Sequence, residues 1–266
     1  MGQKMTNAPV YFAIAQVRFN PVLSLETFMA GIQESFRKMG FPDFKKLMTM
    51  AFNLGPAVGA EAGQAQPPTV QQVERYNFLK MDGRSGFILM QNSLSYQITE
   101  YDTFGTFLAD FMKGLEIIHK AIGLNYSERV GIRYLDAVLP PADGNVAQFL
   151  VPEAIGLSVK LTDVAISHSF TETLFTFPNV GSVLSRVIVQ NGPLAFPPDL
   201  QPDGLKVVER FQNQSGPHAV IDTDGFFDGR EVFAPEQVAG RLHALHDKID
   251  RCFHAMITDH ARTAWK

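Results

Sequence analysis

Two long amphipathic segments constrain the fold of this chain more than any other feature of its sequence. The first begins at Asp102 or Thr103, and its apolar residues recur every three or four positions until Gly123. The second runs from Pro235 to about Thr263 with the same spacing. This period is typical of an α-helix that buries one face. Each helix therefore needs an apolar surface to pack against, and strand-like segments precede both.

The first half of the chain predicts a strand, a helix and an antiparallel meander. Val10–Phe19 is apolar on both alternating faces, which is typical of a central strand covered on two sides. Leu25–Phe36 has helical spacing, and Tyr76–Tyr101 contains three strand-like runs. The pair Asp82-Gly83 lies between two of these runs and favours a tight hairpin. Residues 53–69 are rich in Gly, Ala, Gln and Pro without periodicity, which predicts a mobile surface loop.

The second half repeats this order in outline. Tyr126–Val138 is strand-like, Ala165–Gln190 predicts a long hairpin around Pro178-Asn179, and His218–Asp224 predicts another strand. We therefore predict an α+β fold made of two pseudo-repeats, residues 1–124 and 125–266, each with the order strand, helix, antiparallel strands and long helix. The two repeats are expected to join in one mixed antiparallel sheet, covered by helices on one side, within one globular unit.

Composition excludes several classes of function. The 266 residues carry a formal charge of −4 and 45% of them are hydrophobic, which is typical of a globular chain and not of a disordered one. No basic block is present to neutralise phosphates, so nucleic acid is not an expected partner. No apolar run reaches the roughly 18 residues of a membrane span, and the N-terminus has no secretory signal.

Cysteine usage indicates the compartment. The only cysteine, Cys252, allows neither an intrachain disulfide nor a four-cysteine zinc site. Proteins without disulfides are typical of the reducing cytosol. We therefore predict a cytoplasmic protein.

Three segments resemble a sporadically distributed family of bacterial proteins. They are Pro9–Pro21 (PVYFAIAQVRFNP), Arg129–Asp136 (RVGIRYLD) and His218–Phe253, which begins HAVIDTD, and together they span nearly the whole chain. The resemblance implies a bacterial, cytosolic origin and a shared fold, and it implies no particular reaction. Scattered distribution implies horizontal transfer, which is common among antiviral genes, so a role in bacterial defence follows by association.

The strand at His218–Asp224 carries the first candidate site. A period of two places His218, Asp222 and Asp224 on one face. An imidazole and two carboxylates on a shared face could bind a divalent metal ion or act as an acid and base pair. The alternative is a strand whose apolar Ala219 and Ile221 face the core while the polar residues meet solvent.

The terminal helix carries a second polar stripe. His243, His246, Asp250 and His254 follow one another at steps of three, four and four, so they lie along one side of the helix. His246, Asp250 and His254 could ligate a metal ion. The same spacing is ordinary for surface pairs that stabilise a helix, and no HExxH motif supplies a general base.

Two arginines occupy equivalent places in the proposed repeats. Arg18 lies between Val17 and Phe19, and Arg133 lies between an isoleucine and a tyrosine. Each guanidinium could hold a phosphate or carboxylate, or could close a structural ion pair with Asp136 or Asp222.

The sequence favours binding over catalysis. It contains no GxSxG, GxGxxG or GxxxxGK[ST] motif, so nucleophilic and nucleotide-dependent chemistry are disfavoured. Its 22 phenylalanines could line a pocket or docking surface in addition to the core. We therefore predict a non-enzymatic binding, sensor or adaptor protein, without a cofactor, that recognises a protein or an apolar ligand and could form a homo-oligomer. The alternative is a metal-assisted hydrolase that uses His218, Asp222 and Asp224.

Overall fold

The structure is a computed structural model that describes residues 6–53, 69–159, 167–200, 202 and 204–266. The described residues form a mixed α+β fold around a large antiparallel sheet of nine strands. The loop predicted over residues 53–69 lies outside the described residues, except for Asn53 and Thr69, which belong to strands.

The predicted strands and helices occur in the order that the sequence periodicity indicates, and the structure contains further elements that the periodicity does not predict. The strands are β1 (Val10–Phe19), β2 (Asp43–Asn53), β3 (Thr69–Leu79), β4 (Ser85–Met90), β5 (Ser93–Ile98), β6 (Tyr126–Val138), β7 (His168–Phe177), β8 (Gly181–Pro193) and β9 (Ser215–Val232). The helices are α1 (Leu25–Lys38), α2 (Phe104–Ile122), α3 (Pro152–Ile155), α4 (Pro235–Met256) and α5 (Asp259–Ala264).

The strands lie in the order β2-β3-β4-β5-β1-β6-β9-β8-β7, and all neighbours are antiparallel. The central pair is β1 and β6, in which Ala15 lies opposite Ile132. The predicted central strand and the predicted meander of β3, β4 and β5 are confirmed. The sequence does not predict β2, which forms one end of the sheet.

Helices α1, α2 and α4 pack against one side of the sheet, which we call the helix face. Many of the phenylalanines lie here: Phe36 stacks on Phe78 with ring centroids 4.3 Å apart, and Phe111 of α2 is fully buried. Thr103 caps the start of α2 by accepting a hydrogen bond from the Thr106 backbone N–H. Gly123 ends this helix with φ of 66°, as glycine at this position favours.

The long C-terminal helix predicted from Pro235 to about Thr263 is interrupted. It ends at Met256, because Ile257 is extended and forms an isolated bridge with Leu150. A new helix, α5, then begins with Thr258 as its N-cap. Among the described helices, none combines the length and apolar character that crossing a membrane requires.

The opposite side of the sheet is also covered over part of its area. Residues 194–200 and 204–214, which we call the covering segment, pack their apolar side chains on Tyr11, Phe12 and Leu135. The Tyr11 hydroxyl donates to the Ala195 carbonyl oxygen at 3.0 Å, and Phe196 packs edge-on against both aromatic rings. We call this side of the sheet the segment face. Among the described residues, the α-helices therefore cover one side of the sheet, and a segment with one 3-10 turn (Glu209–Phe211) shields part of the other side.

Gly114 marks the closest approach of α2 to the sheet. A Cβ atom there would lie 2.2 Å from Cε1 of Phe87. We expect Gly114→Ala to lower the free energy of unfolding by about 1–3 kcal/mol, because the clash outweighs the better helix propensity of alanine. The control is Gly31→Ala in α1, where nothing lies within 4 Å of the added atom. This variant should gain up to about 1 kcal/mol. Urea denaturation of both variants measures the difference, and equal shifts would contradict the close approach.

Candidate functional site

Five charged side chains form a continuous ion network on the segment face. Arg133 on β6 donates from Nε and Nη2 to the two carboxylate oxygens of Asp222 on β9, at 2.6 and 2.7 Å. It also donates from Nη1 and Nη2 to Asp199 of the covering segment, at 2.8 and 3.2 Å. Arg186 on β8 lies 3.5 Å from Asp222 and donates to Glu172 on β7 at 2.8 Å. The network therefore links four strands and the covering segment.

This network is buried at its centre and exposed at its ends. The side chains of Asp222 and Arg133 are 1% and 10% exposed, whereas that of Asp199 is 61% exposed. Burial acts to lower the pKa of Arg133, but the hydrogen bonds to Asp222 and Asp199 raise it, so the guanidinium stays charged. The Arg133 contact in turn lowers the pKa of Asp199. Because Asp222 is buried and Arg133 donates to both of its carboxylate oxygens, this carboxylate is engaged in a structural ion pair.

The alternation of β9 places His218, Asp222 and Asp224 on the segment face, but the structure does not bring them together. The ring nitrogens of His218 lie 3.0 Å from Nε2 of Gln190 and 2.9 Å from the carbonyl oxygen of Gly216. His218 and Asp222 are 2% and 1% exposed, so the interpretation in which they meet solvent is wrong. Across the described ranges, no group of three His, Cys, Asp or Glu residues could hold a metal ion.

The two arginines with equivalent predicted places have different surroundings. Arg133 pairs with Asp222, one of the two partners proposed from the sequence. Arg18 is exposed and lies opposite Arg129 of the neighbouring strand. Asp136, the other proposed partner of Arg133, is three residues along the same strand and therefore on the helix face.

His246 lies on α4, on the other side of the sheet from Asp222. Its ring stacks on Phe104 with centroids 3.9 Å apart, and its Nδ1 lies 3.2 Å from the Tyr134 hydroxyl. Burial lowers the pKa of this imidazole, which favours the neutral form. His246 therefore ties α2 and α4 to β6 and does not belong to the same site as His218. Farther along α4, His254 and Asp250 lie 3.5 Å apart at the surface.

Asp136 is a buried carboxyl group, which the sequence suggests as an ion-pair partner of Arg18 or Arg133. It is 4% exposed. Burial, with a smaller contribution from the Asp222 charge, raises its pKa to about 8. Among the described residues, the hydroxyl oxygen of Thr223 on β9 is also buried without a hydrogen-bond partner. Burial therefore favours the protonated, neutral form of this carboxyl group at neutral pH.

The terminal strand β7 carries three exposed apolar side chains. Among the described residues, β7 pairs only with β8, which leaves its other edge open. Phe170, Leu174 and Phe175 are 55%, 58% and 41% exposed. Alternation places Phe170 and Leu174 with Glu172 on the segment face, and Phe175 on the helix face. We call the open backbone and these three side chains the β7 edge. The sequence predicts the strand, but not its terminal position in the sheet.

Comparisons with known proteins add no functional assignment. No protein-family model matches the chain, and a search of curated proteins found no match.

Proposed function

We propose that this chain is a non-enzymatic binding protein that holds an extended segment of a protein along the β7 edge. The observation that carries the proposal is the exposure of Phe170, Leu174 and Phe175 on a strand that has one neighbouring strand, β8, within the described part of the chain. An open strand offers backbone N–H and C=O groups to an incoming strand, and alternate side chains offer specificity. Natural proteins usually protect such edges with charges, and β7 has only His168 and Glu172.

The opposite end of the sheet supports this choice of surface. There, β2 carries Asp43, Lys45 and Lys46 within four residues. Lys45 pairs with Asp43 at 3.2 Å, and Lys46 pairs with Glu26 at 2.8 Å. Charged side chains of this kind disfavour strand addition. The contrast between the two ends favours β7 as the binding edge.

The ion network has a supporting role in this proposal. Glu172 on β7 is joined through Arg186 to the buried Asp222 and Arg133. A strand whose central side chain is held in this way loses less conformational freedom when a partner docks. The binding function expected from the sequence is thereby assigned to one defined edge of the sheet. The occupied oxygens of Asp222 speak against the alternative of a metal-assisted hydrolase.

We also propose the evolutionary and cellular setting that the sequence suggests. From the centre of the sheet outward, the first half has the strand order β1-β5-β4-β3-β2 and the second half has the order β6-β9-β8-β7. In both halves the first strand in the chain lies beside the last, and a long helix, α2 or α4, follows the last strand. This similarity supports two pseudo-repeats. The single cysteine supports a cytosolic location. The sequence resemblance supports membership of the sporadic bacterial family and, by association, a role as an adaptor in antiviral defence.

Peptide selection tests the binding proposal. We expect a library of displayed 12-residue peptides to yield binders that alternate apolar and polar residues and lack internal proline, because proline cannot donate to a strand ladder. For a selected synthetic peptide, Leu174→Lys should raise the Kd at least about tenfold, the effect of losing about 1.4 kcal/mol.

The matched control is Leu23→Lys, which makes the same change at a leucine that is 86% exposed before α1. This variant should keep the wild-type Kd, measured by fluorescence anisotropy. Equal Kd values for the two variants would contradict binding at β7, and so would a selection without binders on a chain that sedimentation shows to be monomeric.

A further inference from the structure

The β7 edge is complementary to itself. We infer that its occupant is β7 of a second copy of this chain, paired antiparallel about a two-fold axis that passes beside Thr173. The inference rests on the proposed function and names the partner of that edge. A two-fold axis uses the same surface patch twice and closes after two copies. The charged β2 end described above then remains at the two outer edges of the joined sheet.

The charge pattern of β7 selects this register. With Thr173 on the axis, residues 169–177 of the two copies oppose one another, and each Glu172 faces a Leu174. Moving the axis to Glu172 would place two carboxylates directly opposite, which is destabilising. Moving it to Leu174 would shorten the paired region to residues 171–177 and leave Phe170 without an opposing strand residue. The Thr173 register alone pairs the strand at nearly full length without opposing like charges.

The same register brings exposed apolar side chains together on both sides. On the segment face, the Leu174 side chains of the two copies become diagonal neighbours, and each is also diagonal to a Phe170. On the helix face, each Phe175 lies opposite Thr171 of the second copy. Thr171 lies close to Gly156, whose added Cβ would be 3.3 Å from the threonine hydroxyl, and the next residue, Leu157, is 77% exposed. The pairing would therefore cover apolar groups that are now open to water.

Cysteine cross-linking tests the axis directly. Opposed residues of an antiparallel pair have Cβ atoms about 4.5–5.5 Å apart, close to the span of a disulfide. We expect Thr173→Cys, oxidised with glutathione at micromolar concentration, to give mainly covalent dimers. The matched control is Thr171→Cys on the same face, because its copies would be separated by about four residues, or roughly 13 Å. The native Cys252 is buried, so the wild-type protein should not cross-link.

Sedimentation without oxidant gives an independent measurement. We expect the unmodified chain to have twice its monomer mass and Leu174→Lys to have the monomer mass, with unchanged circular dichroism. A monomeric wild-type chain, or equal cross-linking of the two cysteine variants, would overturn the inference. If Leu174→Lys still lost the selected peptide, strand binding at β7 would stand and only the identity of its occupant would be wrong.

Discussion

Replacing Asp222 with alanine is expected to lower the free energy of unfolding by about 3–5 kcal/mol. The Asp222 carboxylate is 1% exposed and receives two hydrogen bonds from Arg133, at 2.6 and 2.7 Å. Its removal leaves a buried guanidinium whose remaining acidic partner, Asp199, lies at the surface. The cost therefore comes mainly from an uncompensated buried charge. Urea denaturation at neutral pH measures the loss.

Two further variants separate this explanation from a general packing defect. Asp199→Ala removes the other carboxylate bound to Arg133, but that side chain is 61% exposed, so we expect a loss below about 1 kcal/mol. Combining Asp222→Leu with Arg133→Met removes both buried charges and should recover most of the stability lost in Asp222→Ala. A double variant no more stable than Asp222→Ala, or equal losses for Asp222→Ala and Asp199→Ala, would show that charge burial is not the cause.

The periodic parts of this fold could be predicted from the sequence because their burial patterns are regular. The stripe of α2 and the two-sided apolar run of β1 each specify one element without knowledge of the rest. The predicted helix beyond Met256 was wrong because Ile257 continues the apolar stripe while its backbone turns to pair with Leu150. A local pattern does not reveal such a tertiary contact.

The candidate site was less predictable because it depends on sheet order. The alternation of β9 correctly places Asp222 and Asp224 on one face, but only the pairing of β6 with β9 brings Arg133 to Asp222. Asp199 lies in a segment without periodicity, so nothing in the sequence indicates that it crosses the sheet. The exposure of β7 likewise follows from its place at the end of the sheet. One signal was available: residues 133 and 136 of a strand point to opposite faces, which excludes an ion pair between Arg133 and Asp136.

Asp136→Asn is expected to stabilise the protein increasingly as pH rises from about 4 to about 8. Burial raises the pKa of Asp136 from the ordinary 3.8 to about 8, so the folded state retains a proton that the unfolded state has lost. Between these two pKa values, unfolding releases this proton, and the contribution of Asp136 to stability falls by about 1.4 kcal/mol per pH unit. Below pH 4 both states are protonated, and above pH 8 both are ionised, so the penalty becomes constant there.

Subtracting the free energy of unfolding of the wild-type protein from that of Asp136→Asn isolates the contribution of the Asp136 carboxyl group from those of the other titratable groups. We expect that difference to grow over the window from pH 4 to pH 8, to reach about 4 kcal/mol near pH 7, and to level off above pH 8. Denaturation series at several pH values measure it, and the carboxyl carbon of Asp136 should titrate near pH 8 by NMR in the wild-type protein. A difference that stays flat across the window would mean that the folded protein accommodates the Asp136 charge, for instance by hydrogen bonds from Thr223 or Tyr134. In that case, ionisation of Asp136 at alkaline pH would not disturb the contact between Tyr134 and His246 of α4. A buried Asp136 charge without partners should instead weaken the packing of α4 on β6.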